Sequence, residues 1–236
     1  QRKNEVSPEL GGMTQQQIEK IWQSIENLYQ TGNHPLITMC LRRKGEIILN
    51  RSLGYASGNS ADGLASDAVL ANPDTPICLF SASKIITAML IHMLDETGAI
   101  NLLDPISYYI PEYAQNDKRR ATIFHLLSHR GGIPRIEMEV TPELLFDKDQ
   151  ILQHLYAAQP ISPAGTHLAY HAVTAGYILG ELIERVTGQD IRQFLHEHIE
   201  KPMDMQFFNY GLKPEYRDQV ALNYPTGVHP KLGTDL

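Results

Sequence analysis

Leu79-Phe80-Ser81-Ala82-Ser83-Lys84-Ile85-Ile86 sets a serine and a lysine three residues apart at the head of an apolar run that continues through Ala88, Met89, Leu90, Ile91, Met93 and Leu94. On a helix this separation brings two side chains onto one face, so the Lys84 amine can reach the Ser81 hydroxyl. A lysine-activated serine nucleophile needs that spacing. Ser83 adjoins the lysine and points about 100° away around the helix, which makes it the weaker candidate. Thr97-Gly98 supplies a stop, and the near absence of a polar stripe before it predicts a buried helix. A lysine on such a helix either snorkels at its end or sits in a closed site with a depressed pKa. The helix N-terminus disfavours a cation and favours a developing alkoxide, the direction a base-and-nucleophile pair requires. Ser-x-x-Lys also arises by chance at helix starts, so the reading depends on what accompanies it.

Three further segments accompany it in order. The first is Asn101-Leu102-Leu103-Asp104-Pro105-Ile106 followed by Ile123-Phe124-His125-Leu126-Leu127-Ser128-His129-Arg130-Gly131-Gly132-Ile133-Pro134. The second is Pro163-Ala164-Gly165-Thr166-His167-Leu168-Ala169-Tyr170-His171-Ala172, a tyrosine in a loop ahead of an apolar helix. The third is Glu200-Lys201-Pro202-Met203-Asp204-Met205. From about Trp22 to about Leu212 the chain resembles the serine β-lactamase-related hydrolases, with their parts in the same order. The resemblance implies an α+β fold of the β-lactamase/transpeptidase type, an α/β lobe plus an all-α lobe. It also implies Ser81, Lys84 and Tyr170 as catalytic residues.

Tyr170 lies 89 residues beyond Ser81, a separation similar to that of class C β-lactamases and the carboxylesterases related to them. Class A enzymes use a Ser-Asp-Asn element nearer the serine, and the chain contains none. Two departures stand out. Where the class C pattern has an asparagine two positions after the tyrosine, this chain has Ala172. Losing a group that engages an amide side chain moves the expectation toward ester substrates. The family also completes its site with a Lys-Thr-Gly, His-Thr-Gly or Gly-rich strand that carries the second oxyanion donor. Tyr224-Pro225-Thr226-Gly227 and Lys231-Leu232-Gly233 read instead as loop. The family's C-terminal strands and final helix are therefore expected to be missing from this sequence, as in a portion of a longer protein.

The 236 residues, 42% hydrophobic, suffice for one domain over 1–236, with a sheet lobe at 14–80 and a helical lobe at 81–212. Thr14 to Tyr29 reads as an amphipathic helix capped by Thr14, with Ile18, Ile21, Trp22, Ile25 and Leu28 on one side. Leu36 to Leu41 and Glu46 to Leu53 read as strands joined by a Lys44-Gly45 turn, and Gly58 to Asp74 as a surface loop. Gln219 to Tyr224 offers a third strand. Helices are expected over Pro142 to Ala158, Val173 to Thr187 and Ile191 to Ile199.

Twenty basic residues against 27 acidic ones, a net charge of −7, argue against a nucleic-acid partner. The apolar run from Ile85 to Leu94 is too short to span a bilayer. Cys40 and Cys78 have no second cysteine at metal-binding spacing and are expected to be buried small hydrophobes. The ten histidines form no His-Glu-x-x-His, so neither metal nor cofactor is expected. His125 and His129 read as packing or backbone-bonding residues. His171 is expected to face away from the pocket that Tyr170 faces, since alternate residues of an extended loop point oppositely.

The resemblance implies acyl transfer through a covalent serine ester on a small ester or amide. Lys84 and Tyr170 together take the Ser81 proton, and Tyr170 returns it to the leaving group. Both groups ordinarily titrate near pH 10, so acting near neutrality needs a bias of about 4 kcal/mol. A small-ester hydrolase leads. A β-lactamase or D,D-peptidase, and a sensor or scaffold that does not turn over, stand as alternatives.

Overall fold

A computed structural model describes residues 1–60, 63–136 and 141–224. They fall into two compact units, one of Gln1–Cys78 with the chain from Leu212 onward, the other of Leu79–Gly211.

The first unit is a sheet with a helix. Helix α1, Gln15–Tyr29, starts at Thr14, whose hydroxyl accepts the Gln17 N–H while the Gln17 side chain accepts the Thr14 N–H. This reciprocal cap satisfies two amides that the first turn leaves unpaired. Ile18 and Trp22 on its inner face pack with Ile48 and Leu49, and Leu28, expected on that face, is exposed. Strands β1, Leu36–Arg43, and β2, Glu46–Ser60, pair antiparallel, with a register shift between Leu41 and Arg42. Lys44 and Gly45 both have positive φ, 54° and 86°, the geometry that lets a two-residue turn follow the twist of its strands.

The expected loop from Gly58 to Asp74 is largely strand. β2 continues to Ser60, and β3, Gly63–Leu70, returns antiparallel beside it, giving a sheet ordered β1-β2-β3. Gly, Ser, Asn and Asp are poor strand formers by side chain, but a hairpin needs only backbone partners, and β3 has almost no buried side chain to leave an alternating pattern. The sheet is also flanked by the N-terminal segment. Gln1 and Asn50 carbonyls, Lys3 and Val6 amides and the Arg2–Arg51 bridge tie residues 1–6 to β2. Beyond a 3-10 turn at Pro214–Gln219, the Ala221 and Leu222 amides donate to the Pro76 and Ala56 carbonyls without forming a named strand.

Arg51, 1% exposed, makes a two-pronged bond to Glu5, bonds Glu19 of α1 and lies 5.4 Å from the Trp22 ring centroid. Burial alone would raise the Glu5 carboxyl, but hydrogen bonds from Arg51 and the Asn50 N–H, with the charge of Arg51, outweigh it and hold Glu5 below its usual range. Both cysteines are exposed, against expectation. Met39 and Leu41 pack with the α1 cluster, and strand alternation turns Cys40 to the opposite face.

The second unit is helical: α2 (Ser83–Glu96), α3 (Ile106–Tyr109), α4 (Ile123–Leu127), α5 (Lys148–Ala157), α6 (Thr174–Thr187) and α7 (Ile191–Leu195). α6 is the hub. It meets α2, α3, α4, α5 and α7, buries Ile178, Leu179, Leu182 and Ile183, and stops at Gly188, whose φ of 74° suits a left-handed cap. The helix expected over Pro142 to Ala158 is broken. A 3-10 turn at Leu144–Phe146 precedes Asp147, whose carboxylate accepts the Gln150 N–H and starts α5 afresh. The helix expected from Ile191 keeps α form only to Leu195 and continues as a π-turn over His196–Glu200. No helix among the described residues is long and apolar enough to cross a membrane.

α2 departs from its predicted burial. Thr87, Leu90, Ile91 and Leu94 are buried at the i, i+3, i+4, i+7 spacing of one face, while Ile85 and Met89 are exposed. The apolar run therefore overstates burial on the Ile85 and Met89 side of the helix.

Candidate active site

The site is built where the chain enters α2. Phe80 has φ of 46°, a left-handed conformation that costs a bulky residue about 1–2 kcal/mol. It begins the 3-10 turn Phe80–Ala82, so Ser81 precedes the first α-helical residue, Ser83. The Ser83 hydroxyl donates to the Phe80 carbonyl at 2.6 Å and is committed to the turn. Ser81 is free of that duty.

Ser81 Oγ accepts two hydrogen bonds, from Lys84 Nζ at 3.1 Å and from the Tyr170 hydroxyl at 2.7 Å. The Lys84 amine also stands 5.2 Å from the Tyr170 ring centroid. All three predicted site residues thus converge on one oxygen, although Tyr170 comes from a loop 89 residues away. The Tyr170 phenol is drawn below its usual range by its hydrogen bond to Ser81 and by the hydrogen bond and charge of Lys84. Of the two settings expected for Lys84, the open helix end is the one observed, with Lys84 half-buried. Ser81 is exposed and Tyr170 is 53% exposed, because the serine stands before the buried stretch of α2 rather than within it.

The tyrosine loop is held from behind by two histidines. His171, 1% exposed, is buried, so it turns from Ser81 into the unit's interior rather than to solvent. Its Nε2 accepts the Ile133 N–H at 3.2 Å, which leaves its proton on Nδ1 for the Ala169 carbonyl at 2.6 Å. His125 Nδ1 accepts the Thr122 N–H and completes the cap of α4. His129 Nδ1 accepts the His171 N–H at 3.1 Å, a backbone role as expected, but its ring also meets Tyr170 edge-on at 4.9 Å. That contact was not legible from spacing. The repeated apolar and glycine context of residues 123–134 signals a loop, not the ring it carries next to Tyr170.

Among the described residues no group of three or more His, Cys, Asp or Glu side chains is arranged to hold a metal ion. Ala172 follows the tyrosine loop and is exposed. Pro225 to Gly227 and Lys231 to Gly233, read above as loop, lie outside the described residues.

A serine ahead of a long helix, bonded by a lysine one turn on and by a loop tyrosine, in a molecule of helices plus a small antiparallel sheet, defines the β-lactamase/transpeptidase-like fold. The Beta-lactamase family model matches residues 21–235, and the chain belongs to that family. It is 32% identical over 141 residues to the esterase/beta-lactamase LipL of Mycobacterium tuberculosis, covering 60% of this chain and 32% of that protein. It is 28% identical over 201 residues to protein flp of Staphylococcus aureus strain MW2, covering 82% and 38%. Among solved structures, a penicillin-binding protein homolog from Caulobacter crescentus superposes with a TM-score of 0.76 at 29% identity, covering 85% of this chain and 52% of that one. A family VIII carboxylesterase gives 0.76 and 29%, covering 86% and 54%. The chain thus spans about half the length of these solved relatives, and less of the curated ones.

Proposed function

We propose that this protein is a serine hydrolase of small esters, acting through a covalent acyl-Ser81 intermediate. The observation that carries the reading is the single oxygen of Ser81 shared between Lys84 Nζ and the Tyr170 hydroxyl. As Ser81 Oγ attacks the ester carbonyl, its proton passes to the Lys84–Tyr170 pair, and a bond forms from Oγ to the carbonyl carbon. Collapse of the tetrahedral intermediate breaks the carbon–alkoxy bond, and Tyr170 returns the proton to the leaving alcohol. Water then attacks the acyl-serine, giving up its proton to the same pair. The acid departs and Ser81 is protonated again. A lowered Tyr170 phenol suits this traffic, because it narrows the gap between the base and neutral pH.

Two observations support esters over amides. Ala172 offers no amide group at the position where class C enzymes carry an asparagine. One of the relatives above is named a carboxylesterase, and the Mycobacterium tuberculosis protein is named both esterase and β-lactamase. The kinship to a penicillin-binding protein homolog favours the second reading, a lactam or D-amino-acid peptide as substrate. Steady-state turnover of p-nitrophenyl acetate against nitrocefin separates them. The ester reading expects hydrolysis of the acetate with little turnover of nitrocefin, and the reverse order overturns it.

A further inference from the structure

One residue grips the tyrosine loop from three directions. The His129 carbonyl accepts the Ala169 N–H at 2.9 Å, its Nδ1 accepts the His171 N–H at 3.1 Å, and its ring meets the Tyr170 ring at 4.9 Å between centroids. Both chain neighbours of Tyr170 are therefore bonded to His129, and the phenol ring between them meets its imidazole edge-on. His129 itself adopts φ of 57°, a conformation that few residues accept and asparagine accepts readily.

Because Nδ1 accepts a backbone N–H, the imidazole must be neutral with its proton on Nε2. A second proton would set two N–H groups head to head. We propose that neutral His129 is the positioning residue for Tyr170, and that its protonation in acid releases the tyrosine loop and disarms Ser81. The part about Ser81 rests on the reading of Tyr170 as a partner in proton transfer. The imidazole meets Tyr170 and His171 of the loop and feels the charge of Lys84 on α2; His125 and Arg130 are the titratable and charged residues of its own segment. Burial, and then the Lys84 charge, hold the imidazole below its ordinary 6.5, so it is neutral at pH 7 and the acid limb falls below that value.

The test uses the full chain, wild type, His129→Asn and His129→Ala, with two readouts. Imidazole nitrogen shifts in the wild type report the tautomer without any catalysis, and the rate of fluorophosphonate labelling at Ser81 from pH 5 to 8 reports the armed site. The expected result is an Nε2–H tautomer at pH 7 and a labelling limb that follows its titration. His129→Ala should label about a hundredfold more slowly. His129→Asn, which keeps an acceptor near Nδ1 and the left-handed backbone, should restore most of the rate and lose the acid limb. An Nδ1–H tautomer at pH 7, or an acid limb unchanged in His129→Asn, overturns the proposal. An Nε2–H tautomer whose titration moves the Tyr170 ring resonances, with no Ser81 labelling in any variant, upholds the clamp and rejects the hydrolase reading instead.

Discussion

Lys84 and Lys118 each hold their amine over a tyrosine ring, 5.2 Å from the Tyr170 centroid and 5.6 Å from that of Tyr113. They differ in the oxygens they serve. Lys118, 1% exposed, donates to the Tyr156 and Ala158 carbonyls at 2.9 and 2.6 Å, and Asn116 donates to the Ala157 carbonyl between them. These are orphan carbonyls at the end of α5, where a cation also suits the helix dipole. Lys84 donates to the Ser81 hydroxyl, the oxygen proposed above to be acylated. Burial lowers Lys118 to about 8, so a search for perturbed lysines would fix on the structural one. What separates the two is the acceptor: amide oxygens at a helix end offer no nucleophile, and a serine does.

Substitutions sharpen that contrast. The largest effect is expected from Ser81→Ala, which removes the nucleophile and should cut ester turnover by about a thousandfold or more while leaving the melting temperature in place. Lys84→Met and Tyr170→Phe come next, each lowering turnover by about 10²- to 10⁴-fold through loss of proton transfer. Lys118→Met should act on stability instead, costing about 2–3 kcal/mol by urea titration as buried carbonyls lose a charged donor. Folded Lys118→Met protein should label at Ser81 at the wild-type rate.

The pH dependence of Lys118 has a definite sign. Its folded pKa of about 8 lies below the unfolded lysine value near 10.4, so between the two the unfolded chain binds more protons. Wild-type stability should therefore rise relative to Lys118→Met as pH climbs through that window. The smallest effect is expected at Tyr156, whose buried hydroxyl has no hydrogen-bond partner among the described residues. Tyr156→Phe should raise the unfolding free energy by about 1 kcal/mol, because no bond is lost and an unsatisfied buried group is removed.

The sequence made one half of the site readable and left the other to resemblance. Ser81 and Lys84 follow from helical spacing, which is local and rigid. Tyr170 reaches the same oxygen through tertiary packing, and no periodicity encodes a contact across 89 residues. His129 was readable as a loop residue, but its place beside Tyr170 depends on a left-handed backbone that Ser-His-Arg-Gly-Gly does not announce. In the fold, α1 and the Lys44-Gly45 hairpin carried strong caps and turn residues, and they formed as read. β3 has a single β-branched residue, Val69, and no fully buried side chain, so no alternating pattern announced its pairing. The burial of Cys40 was misjudged because residue type was weighed and strand face was not.

The account turns on which hydroxyl is the nucleophile, and peptide mapping after fluorophosphonate treatment tests that directly. Ser81 accepts from both Lys84 and Tyr170, while Ser83 spends its proton on the Phe80 carbonyl. A single adduct on Ser81, slowed sharply in Lys84→Met and Tyr170→Phe, is the predicted result. An adduct on Ser83, or a folded chain that takes up no label, would contradict it.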